Sequence, residues 1–301
     1  MQKLERSQLQ LAEILLALVA TQQEDARFVS LKERLLLWHI QVIGGVPVNE
    51  PNAFPECCAL GQPTASFPEG SGVLIHKRIV LTAAHLSQSN YQVRLKRLSW
   101  NANGGETFDN VRLHRHPRYN SARPVCEGRY PFDIGALILP DEGSSVTPAE
   151  LAATAQIDSA TEVNLVGFGA AMSHGGGKGR LRLAEKIGVL QINSDQDRSN
   201  YERLFTFDSA AEFVAGFNDG KGGDTCPGDS GGPAYIQVAD GAATKKKLAG
   251  LTSRGITLPK NDGAPACLKI CGQGGVYTRV DRYLDFIKEV AIRAGITDFN
   301  P

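Results

Sequence analysis

Two different spacings of apolar residues divide this chain. Over residues 1–41 they recur at helical intervals: Leu4, Leu11, Leu15 and Leu18 share one face, and Phe28, Leu31, Leu35 and Trp38 share another. The polar stretch Thr21 to Asp25 separates the two groups, so the pattern predicts two short helices. From Val42 onward the apolar runs shorten to strand length and are broken by Gly, Pro and Asn. Phe54 to Leu60, Gly72 to Ile75, Arg78 to Ala83, Val93 to Leu98 and Ile134 to Leu139 predict a first set of strands. Residues 99–131 read as long loops and 141–161 as a crossing segment. A second set follows in Glu162 to Gly167, Ala184 to Ile192, Gly232 to Gln237, Lys247 to Thr252 and Gly275 to Val280. Helical spacing returns at Asp281, with Leu284, Ile287 and Ala291 on one side and Gly295 as a stop. The expected organisation is a helical extension over 1–41 and an all-β domain over 42–301.

Composition adds little to this and excludes some partners. The 32 Lys and Arg balance the 32 Asp and Glu, which gives no electrostatic reason to expect nucleic acid. No apolar run reaches the ~20 residues that span a bilayer. The run Lys245 to Lys247 reads as a solvated loop, and no metal-ligand cluster or phosphate loop is apparent, so neither metal nor cofactor is expected. The six cysteines do not fall into obvious pairs. Cys57 and Cys58 are adjacent in a predicted strand, where neighbours point to opposite faces and cannot readily join each other.

Candidate chemistry centres on Asp224 to Pro233, where Gly and Pro dictate tight turns around Ser230. A serine on such a turn has an exposed hydroxyl, and free backbone N–H groups beside it can serve an oxyanion. The hydroxyl needs a base. Of six histidines, only His85 ends an apolar run in small residues, Ile79 to Ala84. The base needs an orienting acid, and Asp133 stands at the mouth of the strand Ile134 to Leu139. A carboxylate in that position is costly unless paired.

Thr82-Ala83-Ala84-His85, Asp133-Ile134-Gly135-Ala136-Leu137 and Gly228-Asp229-Ser230-Gly231-Gly232-Pro233 resemble the three catalytic blocks of the chymotrypsin/trypsin family, in that family's order and 48 and 97 residues apart. Val42-Ile43-Gly44-Gly45, His116 to Asn120, Val166-Gly167-Phe168-Gly169 and Gly275 to Val280 resemble further family segments, so the likeness covers about residues 42–295. It implies two antiparallel six-stranded β-barrels with a C-terminal helix and an active site in the crevice between them. It implies His85, Asp133 and Ser230 as catalytic residues and the N–H groups of Gly228 and Ser230 as the oxyanion hole. Asp224 would floor the primary pocket, with Ser253, Arg254, Gly255 and Gly275 as walls, so the substrate would carry Arg or Lys before the cut bond. Arg254 stands where relatives carry Trp, and its charge suggests acidic or small residues just upstream of the cut.

The resemblance also bears on bridging and activation. A bridge that relatives form around the histidine is absent here, its two positions holding Gly70 and Leu86. The resemblance implies a bridge beside the specificity pocket from Cys226 to either Cys267 or Cys271. Sparse bridging points to a cytoplasmic setting, with a secreted enzyme as the alternative. The amine of Val42, freed by cleavage, would pair with Asp229, yet Gln41 precedes it, and an enzyme specific for Arg or Lys would not cut there. The expectation is a precursor activated by another protease or by a partner docking on residues 1–41; the Gly-rich loop Met172 to Arg180 offers Lys178 and Arg180 as self-nicking sites, or is equally an inert flexible loop. A secretory signal over Leu11 to Ala20 is the competing reading of the extension, against which Glu13 and the acid-bearing flanks count.

Overall fold

The computed structural model describes residues 45–120, 131–171, 176–217, 224–241, 243–256 and 272–301. The predicted helices of 1–41, Val42, and Cys126, Cys267 and Cys271 therefore lie outside the described residues. The regular secondary structure among them is mostly strand. Strands β2 (Cys57–Gly61), β3 (Gly70–His76), β4 (Ile79–Thr82), β5 (Asn90–Leu95), β6 (Glu106–Arg115) and β7 (Gly135–Ile138) close into a barrel in the order β2-β3-β4-β7-β6-β5. All its pairings are antiparallel.

The second sheet has seven strands in the order β1-β9-β8-β11-β12-β13-β10. They are β1 (Val46–Pro47), β8 (Glu162–Gly167), β9 (Arg182–Gly188), β10 (Glu212–Ala215), β11 (Pro233–Asp240), β12 (Ala243–Gly255) and β13 (Gly275–Arg279). The two-residue β1 sits on the outside of β9. At the other end, Leu190 donates to Val214 and Gly216 to Gly188, which draws β10 back to the segment after β9 and curls the sheet into a barrel. Three helices complete the described residues: α1 (Thr154–Asp158), α2 (Asp195–Phe205) and α3 (Leu284–Arg293), the last entered through a 3₁₀ turn at Val280–Tyr283.

Period-2 alternation explains how the barrels are filled and joined. In β2, Cys58 and Leu60 point into the first barrel with Leu74, Val80, Tyr91 and Val93. Cys57 and Ala59 point the other way, into a core shared with Val166, Phe168, Tyr235 and Leu251 of the second barrel and with Phe286, Ile287 and Val290 of α3. Both cysteines are free and fully buried, as the opposite-face argument requires. Leu86 fills the space beside Gly70: a Cβ there would lie 2.8 Å from a Leu86 methyl. An apolar contact thus occupies the place of the absent bridge.

Several stretches differ from expectation. Residues 106–115, expected as loop, form the ten-residue β6, most of whose side chains are exposed or partly so. Helix α2 and strand β10 were not expected; α2 buries only Phe205. The lysine run lies on β12 rather than in a loop, and its charges are paired, Lys245 and Lys247 with Glu150 and Lys246 with the buried Glu56.

Candidate active site

The turn bearing Ser230 is fixed from both barrels. Ser71 of β3 donates its N–H to the Ser230 carbonyl at 2.9 Å, and Gly231 donates to Thr252 of β12 at 2.8 Å. Gly231 has φ of +79°, and a Cβ there would strike Thr82 Oγ1 at 2.0 Å. Gly228 has φ of +104°, and a Cβ would meet Lys178 Cε at 2.7 Å and Gly169 Cα at 3.0 Å. Positive φ and the close approach both require glycine at these two positions. The Ser71 hydroxyl adds a clamp, donating to the Gly228 carbonyl and accepting from Phe168 N–H, each at 3.0 Å. Among the described residues, no protein acceptor takes the N–H of Gly228 or Ser230.

His85 follows β4 through the fully buried Ala83 and Ala84. Arg115 of β6 fastens this segment, donating to the carbonyls of Ala84 (2.9 Å), Leu86 (2.6 Å) and Gln88 (2.9 Å). Asp133, 2 % exposed, precedes β7. Its carboxylate accepts from His85 Nδ1 at 2.7 Å, His85 N–H at 2.9 Å and Ser253 Oγ at 2.6 Å. His85 Nε2 lies 2.9 Å from Ser230 Oγ. Because an ionised carboxylate only accepts, Nδ1 carries the proton of a neutral imidazole and Nε2 is left to accept from the serine. Burial favours neutral forms of both groups, but each outweighs this for the other. The His85 pKa is raised above its usual value, and the Asp133 pKa is lowered. The three expected side chains therefore form one hydrogen-bonded series able to move a proton off a hydroxyl.

Asp224 is 3 % exposed and has no cation of its own within ion-pair distance among the described residues. Its oxygens accept from Thr225 N–H (2.7 Å), Gly272 N–H (2.9 Å) and Gly274 N–H (3.1 Å). Burial still prevails over these donors and pushes its carboxyl up to about 6. A Cβ on Gly255 would meet nothing nearer than 4.0 Å, so that wall is open. Gly275 is different: a Cβ there would lie 2.9 Å from the Tyr277 hydroxyl and 3.2 Å from Thr225 Oγ1. Space for Tyr277, rather than for a ligand, accounts for that glycine.

Asp229 is buried with its oxygens on Gly169 N–H at 2.7 Å and Cys226 N–H at 2.8 Å. A Cβ on Gly167 or Gly169 would lie 2.2 or 2.3 Å from this carboxylate, which accounts for both glycines around Phe168. Burial raises the Asp229 carboxyl to about 6, against the two N–H donors and the more distant charges of Arg182 and Lys178.

One sequence expectation changes. Arg254 does not present its charge to a ligand: its side chain is 5 % exposed and makes a two-pronged ion pair with Glu212, at 2.6 and 3.1 Å. Buried and gripped by Glu212, the guanidinium meets its charge partner inside the protein rather than on a substrate. Arg180 is exposed and donates to Asn49 Oδ1 at 2.9 Å, and Lys178 lies beside Gly228. Sequence reasoning missed Ser71, Arg115 and Glu212, none of which carries a motif. Ser253 was expected as a pocket wall; its hydroxyl is committed to Asp133. His116 is stacked on Phe132 and edges onto Tyr283, away from any nucleophile.

Two β-barrels with a serine, an imidazole and a carboxylate in series between them have the form of a serine protease. The comparisons give the family: the model of the trypsin family matches residues 43–287, and the chain belongs to that family. It is 29 % identical to anionic trypsin of Bos taurus over 83 % of this chain and 89 % of the relative. It is 31 % identical to kallikrein-8 of Homo sapiens over 73 % of this chain and 75 % of the relative. The serine protease snk of Drosophila melanogaster is 29 % identical over 84 % of this chain, which spans 57 % of that relative. Among solved structures, mouse neuropsin, a serine protease, superposes with a TM-score of 0.61 at 26 % identity, covering 82 % of this chain and 98 % of its own.

Proposed function

We propose that this trypsin-family serine protease is an endopeptidase that cleaves after Arg or Lys through acylation of Ser230. The unbroken series Ser230–His85–Asp133 carries this reading. Ser230 Oγ attacks the scissile carbonyl while His85 Nε2 takes its proton. The oxyanion is received by the N–H groups of Gly228 and Ser230. His85 then gives the proton to the leaving amine, and water repeats the sequence in reverse to free the acid. Asp133 holds the imidazole tautomer and stabilises the imidazolium. A fluorophosphonate probe is expected to label the protein and not the Ser230→Ala variant; an unlabelled active-form protein would overturn the reading.

Specificity for Arg or Lys is supported by Asp224, a buried carboxylate whose donors among the described residues are backbone N–H groups, and for which a substrate cation would be a charge partner. Asp224→Ser should abolish the preference for Arg over Phe peptides without abolishing labelling.

Activation by a new amine at Val42 is supported by Asp229, whose donors at bonding distance among the described residues are backbone N–H groups. Protein beginning at Val42 should exceed the full chain in activity; equal activity would remove the cleavage requirement. The activator would be another protease or a partner docking on residues 1–41. On compartment, Cys226 is disulfide-bonded, which favours the secreted alternative over a cytoplasmic one. No helix among the described residues is long and apolar enough to cross a membrane.

A further inference from the structure

We infer that Arg254 is a positioning residue for the catalytic carboxylate: anchored by Glu212, its guanidinium fixes the rotor of the Ser253 hydroxyl so that this hydroxyl donates to Asp133. The inference rests on the proteolytic reading above and adds to it a residue outside the triad. Arg254 Nη1 lies 3.1 Å from Ser253 Oγ, which in turn lies 2.6 Å from Asp133 Oδ2. Guanidinium nitrogens have no acceptor, so Ser253 Oγ accepts from Arg254. An ionised Asp133 has no donor, so the single serine proton must go to it. Each end of the series thus has one polarity, and the hydroxyl has one orientation.

The guanidinium cannot itself swing. Glu212 of β10 grips Nη1 and Nη2, and Nη2 also donates at 2.9 Å to the Thr206 carbonyl, just past the end of α2. Glu212 Oε2 is held in addition by Asp208 N–H at 2.9 Å. Planar bidentate pairing of this kind is specific to arginine; a lysine offers a point charge with no fork. Elements β10, β12 and the end of α2 therefore meet at one buried ion pair behind Asp133. Replacing such a pair by apolar residues often costs no stability. Its presence behind a working carboxylate is consistent with a role in the site's geometry.

The electrostatic consequence has a definite sign. Asp133, Arg254 and Glu69 act on His85. Tyr283 also faces Asp133 and Glu212, and Arg115 lies on the carbonyls around His85. Arg254 opposes protonation of the imidazole, and a donated Ser253 proton disperses the charge of Asp133 that favours it. Losing either raises the pH at which His85 becomes a base.

The test compares wild type with Arg254→Met/Glu212→Leu, which removes both charges together and avoids a stranded carboxylate, and with Arg254→Lys. Ser253→Ala serves as the reference for losing the hydroxyl. Two readouts are taken on activated protein: kcat and KM against pH for an Arg peptide, and the His85 titration by NMR, which needs no turnover. In the folded double variant kcat should fall about tenfold or more with KM within about twofold, and the His85 titration should move to higher pH. Arg254→Lys should restore less than half of the loss. An unchanged His85 titration and unchanged kcat in the folded double variant overturn the inference. If wild type shows no turnover while the His85 shift is present, the proteolytic reading fails and the positioning role stands.

Discussion

At the scale of single residues, the site is a sequence of committed donors and acceptors. Asp133 spends its acceptor capacity on His85 twice and on Ser253 once. An amide at this position would offer a donor where His85 Nδ1 needs an acceptor, forcing the wrong tautomer. Asp133→Asn is therefore expected to lower kcat by roughly 10³–10⁴ with KM little changed, measured on a chromogenic Arg peptide. The pH dependence follows from the same contacts. Asp133 holds the His85 pKa above the ordinary 6.5, and the base must be neutral to act. Activity should thus rise through a midpoint above pH 6.5 and be lost below it; a midpoint at or under 6.5 contradicts the pairing.

At this scale the sequence was informative where a residue carries chemistry and silent where it carries only position. Ser230, His85 and Asp133 stand in distinctive local strings. Arg115 is one of several arginines in a stretch that reads as loop, and nothing local says that it will cap three carbonyls around His85. Arg254 shows the converse: its charge was legible, its direction was not, because the partner Glu212 lies 42 residues away in a short strand.

At the scale of elements, strands with a fully apolar face were legible and half-exposed ones were not. β4 and β7 bury nearly every residue and follow the predicted runs closely. β6 buries only Val111 and Leu113 firmly and carries Asn110 at a φ of +54°, so its alternation is broken in the sequence as in the structure. Helix α2 is polar along most of its length, and β10 is four residues long with a buried acid at its start. The turn that carries Ser230 is the element on which both barrels converge. Gly231→Ala would add strain at positive φ and drive a methyl into Thr82 and the Ser71 carbonyl, both part of the first barrel. We expect it to reduce labelling by a fluorophosphonate probe at least tenfold and to lower the thermal midpoint, read by calorimetry.

At the scale of the whole molecule, two buried carboxylates influence stability in the same direction. Burial lifts the Asp229 carboxyl from 3.8 to about 6. A carboxyl whose folded value exceeds its unfolded one costs stability fully above the folded value, and the cost disappears as pH falls towards the unfolded one. The penalty is on the order of 3 kcal/mol at neutral pH. Asp224, also at about 6, adds a similar term to any form of the protein and cancels between forms. An amine placed beside Asp229 would remove only the first term. Protein starting at Val42 should therefore melt higher than the full chain at pH 7–8, with the difference shrinking towards pH 4. A difference independent of pH would show that Asp229 does not receive the amine.

The leucine seated against Gly70 has a practical corollary. Where a covalent staple would be undone by thiols, this contact is indifferent to them, and the two sulfhydryls of β2 are shut inside the walls on either side of it. Dithiothreitol should leave this contact and the two buried sulfhydryls as they are. Its effect should be felt first near Cys226, two positions past the carboxylate proposed to choose the substrate, so discrimination between peptides would fade before the capacity to cut them.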